Sequence, residues 1–183
     1  MRHRILTGFL ICALAIPLAV PAYATVLVPA SLSELAHDAA IIARGQVVSV
    51  DGRWTDDRRT VETIVTLETE NYLKGRFGQT LQFRVPGGTL GRFRNIVMGA
   101  PRFDVGQRVI VFLGVNGPRV PYILGLNQGV YRVVLDDSGR AVVTPPSPMP
   151  GVTGPITRGA SNRQPATLDS FEREIRTAAG GAQ

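Results

Sequence analysis

The sequence predicts a mainly β protein: a small closed or partly closed barrel of five to seven strands, with a short helix near each end. Three observations carry this expectation. Short segments of alternating apolar and polar residues recur through the middle of the chain, the period of half-buried strands. Gly and Pro, 20 and 13 residues, punctuate them at turn spacing. Helical periodicity shows only twice. A β-sandwich is the alternative. The chain has 183 residues, 44% hydrophobic and 19% charged, too apolar for disorder and of a length for one domain. Its glycines follow no three-residue period, which excludes collagen.

Residues 1–24 read as a secretory signal peptide. Arg2 and Arg4 precede the uncharged run Ile5 to Val20, and Ala22-Tyr23-Ala24 supplies a small-x-small cleavage signal. The run is roughly 16 residues long and broken by Pro17, whereas a membrane span needs about 20. Phe9-Leu10-Ile11 before Cys12 does not resemble a lipoprotein acceptor site. The expectation is export to the periplasm or beyond, with no membrane span after cleavage. The net charge then falls from +6 to +4, and the remainder holds no cysteine and a single histidine, His37. That excludes a disulfide scaffold and every cysteine-ligated metal site. Lys74 is the only lysine. This modest, Arg-borne excess is not the dense basic stripe of nucleic-acid binding, so a nucleic-acid partner is not expected.

The barrel domain is expected over 25–144. Ser31 and Glu34 fit a capping box opening a helix over 31–38, with Leu32, Leu35, Ala36 and Ala39 on one face. Ala40 to Val50 reads as a strand with a bulge at Gly45, and Asp51-Gly52 as the turn that ends it. Asp56-Asp57-Arg58-Arg59 reads as a hairpin tip. Strands follow at Thr60–Tyr72 and Leu81–Val85. Gly87 to Gly106 shows little periodicity and reads as a long loop, a length usually tied to function. Val109 to Leu113 is continuously apolar, the mark of a strand buried on both faces. Tyr122–Leu124, Val130–Leu135 and Ala141–Val143 complete the strands, the last two joined by the turn Asp136-Asp137-Ser138-Gly139. A Pro-rich linker is expected over 145–166, devoid of regular strands. A final helix over 167–178 opens at Thr167 and carries the narrow stripe Leu168, Phe171, Ile175, suited to the barrel or to another protein.

The order and spacing of several segments resemble a class of uncharacterised exported bacterial proteins with an OB-like barrel in its netrin-like form. They are Ala43-Arg44-Gly45-Gln46-Val47, Thr63-Ile64-Val65-Thr66-Leu67, Tyr72-Leu73-Lys74-Gly75, Val85-Pro86-Gly87-Gly88, Phe103-Asp104-Val105-Gly106-Gln107, Val111-Phe112-Leu113 and Gly125-Leu126-Asn127-Gln128-Gly129-Val130-Tyr131. The resemblance spans about residues 31–135 and implies the fold alone. Netrin-like inhibitors of metalloproteinases resemble disulfide-stapled wedges whose first cysteine chelates zinc. With no cysteine after the leader, that mechanism does not transfer.

No catalytic, metal or cofactor site is assigned. His37 reads as a solvated helix residue; a triad would have to use it, and no Gly-x-Ser-x-Gly elbow exists. Asp56-Asp57 and Asp136-Asp137 are sequence neighbours on turns, which point apart. Pro86-Gly87-Gly88 and Gly91 lack the following Lys-Ser/Thr of a phosphate loop. The candidate binding residues are Arg92, Phe93, Arg94 and Arg102: guanidinium and aromatic groups interleaved on the long loop can grip an anion, a sugar or a partner protein. Trp54, near a hairpin end, is expected to plug the barrel. The function these features point to is an exported, non-catalytic binding domain for an envelope or extracellular protein or polymer. The alternatives are an extracellular hydrolase or protease-associated inhibitor, and a binder of anionic glycan or single-stranded nucleic acid.

Overall fold

The computed structural model describes residues 30–117, 119–146 and 165–180. The signal peptide expected over 1–24 and most of the Pro-rich linker lie outside the described residues. Ser31 caps the helix α1 (Leu32–Asp38): its hydroxyl accepts from the Glu34 N–H, and Glu34 accepts in return from the Ser31 N–H. Lys74 closes the other end, its ammonium donating to the Ala36 and His37 carbonyls at 2.9 and 2.8 Å. Strand β1 (Ile41–Trp54) then makes a long hairpin with β2 (Val61–Lys74), and β3 (Thr80–Pro86) extends the meander. A small separate hairpin follows, β4 (Gly88–Leu90) and β5 (Phe93–Asn95). Next come β6 (Arg108–Gly114), β7 (Tyr122–Ile123), a 3-10 turn at Leu126–Gly129, β8 (Val130–Leu135) and β9 (Ala141–Thr144). β10 (Ala166–Thr167) leads into the helix α2 (Leu168–Gly180).

Five of these strands form a closed barrel. β1 pairs β2 along one edge and β6 along the other. β3 meets β7 in parallel at Arg84 and Tyr122, and β7 returns antiparallel to β6. The circuit β1-β2-β3-β7-β6-β1, with its one parallel contact, is OB-like. Closure pairs β1 on both edges over Ile42 to Gln46, while β3 meets β7 at the single pair Arg84 and Tyr122. β8, β9 and β10 extend the sheet beyond β6.

Two apolar cores share strands β1 and β6. Inside the barrel Ala43, Val47, Val65, Leu67, Phe83, Val109, Val111 and Leu113 are fully buried, with Phe103 edge-on to Phe83 at 5.4 Å. Outside it Ile42, Ile110, Phe112 and Tyr131 meet Leu35 and Ala36 of α1 and Phe171 and Ile175 of α2. The unbroken run Val109 to Leu113 is thus explained: odd positions fill the barrel, even positions hold the helices. The C-terminal stripe docks on the barrel, with Phe171 4.7 Å from Tyr131. Its polar flank is held as well. Buried Glu172 accepts from Arg44 at 2.6 Å and Asn71 at 3.0 Å, and pairs with Arg176 at 3.2 Å. Glu70 pairs with both Arg44 and Arg108. Shared charges of this kind fix the helix in register.

Several expectations are corrected. β1 does not end at Asp51-Gly52; it continues to Trp54, and the turn lies at residues 55–60. Gly52 is there because a Cβ would strike the Thr89 carbonyl of β4, not because the chain reverses. The segment Gly87 to Gly106 is not wholly loop: β4 and β5 pair around a turn at Gly91, where φ is +55°. Three-residue strands are too short to display a period. The expected linker ends in a strand, since Ala166 and Thr167 pair with Val143 and Val142 once past Pro165. Trp54 is not a plug; it stands outside the barrel, partly exposed.

Gly45 sits at a register shift in β1, where a Cβ would collide with the Glu68 carbonyl. Gly45→Ala is expected to cost about 2 kcal/mol of unfolding free energy through overpacking, measured by urea denaturation; an unchanged midpoint would contradict the close approach.

Candidate functional site

β1 and β2 run past the barrel mouth, and the β4–β5 hairpin lies against their outer end. Three contacts seat it. The Thr63 hydroxyl donates to the Gly87 carbonyl at 2.8 Å, and the Asn95 amide donates to the Val61 carbonyl at 3.1 Å. Gly88, at φ +154°, brings its backbone against Glu62 and Thr63, where a side chain would not fit. Beneath it, Arg53 of β1 donates to Glu62 of β2 through Nε and a terminal nitrogen at 3.0 and 2.9 Å. Glu62 is buried and its charge is thus compensated.

This seating brings Trp54 and Phe93 together, rings 4.9 Å apart and inclined at 62°. The Arg92 guanidinium lies 5.2 Å from the centre of the Phe93 ring, a cation–π distance. The group is held but not hidden: Trp54 is 37% exposed and Phe93 44%. Arg92 and Arg94 are exposed and form no ion pair among the described residues. Beyond β5, Ile96 and Met98 are 69% and 75% exposed, while Val97 between them turns inward beside Gly87. The result is a projecting surface of π faces, alkyl groups and guanidinium charge.

Of the four candidate residues, Arg92, Phe93 and Arg94 share this hairpin. Arg102 does not join them. It is exposed in the next loop, where its carbonyl accepts from Arg132 of β8 at 3.2 Å. Phe103, by contrast, is a core residue of the barrel. Sequence reasoning missed Ile96, Met98 and the partnership of Trp54 with Phe93. The run Ile96-Val97-Met98 was visible, but an apolar triplet does not tell which members will face solvent. The Trp54–Phe93 contact depends on a fold-back between segments far apart in the chain.

Two carboxylates away from the hairpin hold turns. His37 is exposed and touches its neighbour Asp38 at 3.0 Å. Asp57 ties the β1–β2 tip, accepting from the Thr55 hydroxyl at 2.6 Å and the Arg59 N–H at 3.1 Å, which holds its carboxyl below the ordinary range. Asp136 does the same for the β8–β9 turn. It accepts from the Ser138 hydroxyl at 2.6 Å and the Arg140 N–H at 2.9 Å. The Ser138 hydroxyl bond is the largest cause of its lowered pKa, from 3.8 to about 2. Among the described residues no three His, Cys, Asp or Glu side chains converge as a metal site would require.

Because the folded pKa of Asp136 is depressed, its stabilising effect is complete above 3.8 and lost as pH falls through about 2. A carboxyl-carbon NMR titration should give a midpoint near 2, with the Ser138 and Arg140 amides shifting in step. A midpoint near 3.8 would contradict the turn's hydrogen bonds.

Comparison with protein-family models, with curated proteins and with solved structures gives no match to this chain.

Proposed function

We propose that the protein is an exported, non-catalytic binding domain, and that it docks its partner through the β4–β5 hairpin and Trp54. The observation that carries this reading is the contact group of Arg92, Phe93 and Trp54, Trp54 meeting Phe93 edge to face, seated on the barrel frame yet open to solvent. Aromatic and Arg side chains are the groups that carry most energy at recognition surfaces. Holding them in place before binding reduces the entropy lost on contact. The barrel supports the reading by supplying rigidity at the hairpin's base. Export is the reading of residues 1–24 as a signal peptide, from Arg2, Arg4, the uncharged run Ile5 to Val20 and Ala22-Tyr23-Ala24.

A photo-crosslinker placed at position 93 in the native cell should attach to an envelope component. The attachment should vanish when Arg92 and Arg94 become Ala. Replacing Arg92, Phe93 and Arg94 together by Ala should cost about 1 kcal/mol of stability at most, the size of an exposed aromatic pair. Crosslinking that survives loss of both arginines would reject the hairpin as the docking surface.

A further inference from the structure

Resting on that reading, we infer that the hairpin docks onto an anionic lipid surface. The segment between Pro86 and Asp104 contains Arg92, Arg94 and Arg102 and no acidic residue. Buried Glu62 compensates neither hairpin arginine, since it is already taken by Arg53. The neighbouring β1–β2 tip, with Asp56, Asp57, Arg58 and Arg59, is neutral in sum. Exposed Asp51 of β1, beside Gly52, offsets one of the two hairpin charges, so the local balance stays positive by one and complements phosphate-bearing headgroups.

The apolar groups are arranged for the same surface. Phe93, Ile96 and Met98 project from a hairpin and its exit, so the patch is raised and open. Trp54 stands beside Phe93 at the base, an amphipathic ring of the kind that settles at headgroup level. Polar groups that would read a protein surface are scarce here. On the hairpin and its exit the uncharged polar side chains are exposed Thr89 and Asn95, and the Asn95 amide nitrogen donates to the Val61 carbonyl. What remains is insertion of alkyl and ring groups plus point charge, which is what a lipid interface takes. No helix among the described residues is long and apolar enough to cross a membrane, so attachment by this face would be peripheral.

Trp54 is the only tryptophan, so its emission reports on this face alone. Full-length protein is mixed with vesicles of phosphatidylcholine carrying roughly a third phosphatidylglycerol, and with pure phosphatidylcholine. The anionic vesicles should shift Trp54 emission to the blue, and brominated acyl chains should quench it. Added salt should weaken the effect. Arg92→Ala and Arg94→Ala should each reduce partitioning about fivefold. Ile96→Asp with Met98→Asp should reduce it on the order of tenfold or more. Arg92→Lys with Arg94→Lys should keep it, because lipid attraction needs charge and not the guanidinium fork. No shift with anionic vesicles would overturn the inference, as would loss of binding in the lysine variant. If vesicles fail while the position-93 crosslink still marks a protein, this inference falls and the docking surface stands. If both fail, both fall.

Discussion

Over Ile42 to Gln46 strand β1 is paired along both edges, and the rest of the structure depends on that constraint. A strand paired by β2 on one side and β6 on the other turns a curved sheet into a ring. Closure requires β1 to bend, and Gly45 permits the bend by letting the β2 backbone come closer than any side chain allows. It also requires β1 and β6 to bury both faces, because one face lines the ring and the other receives helices. The apolar composition of Ile41 to Ala43 and of Val109 to Leu113 answers that requirement.

From the doubly buried pair the architecture extends outward. The inner core is sealed by Phe103 across Phe83, so the loop after the β4–β5 hairpin is pinned at one end by the barrel itself. The outer core fixes α1 and α2, and the chain Arg108, Glu70, Arg44, Glu172, Arg176 sets where α2 lies. A frame stiff on both sides lets a hairpin of two three-residue strands hold a defined position at its rim. That stiffness is why Trp54, Phe93 and Arg92 stand in contact on an exposed surface.

The legible parts of the sequence are those governed by local rules. The capping box at Ser31 and Glu34, the bulge at Gly45, the turn at Asp136 to Gly139 and the stripe Leu168, Phe171, Ile175 each state their role within a few residues. The illegible parts depend on segments distant in the chain. Asp51-Gly52 has turn composition, yet Gly52 makes room for β4, some forty residues on. The β4–β5 hairpin is too brief for a period and gains its place from Thr63 and Val61. The same holds at the candidate site. Arg92, Phe93 and Arg94 were legible as an interleaved set. Trp54 as their partner was not, because the contact exists only once the hairpin folds back. Arg102 shared their composition but not their location.

The ring is the claim on which the site, its rigidity and its exposure all rest, and amide hydrogen exchange tests it most directly. In a closed barrel the amides from Ile42 to Gln46 face β2 on one side and β6 on the other, so apart from the register shifts at Ile42/Ala43 and Arg44/Gly45 exchange should be slow on both sides and governed by global unfolding. Slow exchange at every second residue only, with the intervening amides fast, would mark β1 as an open edge and contradict the ring.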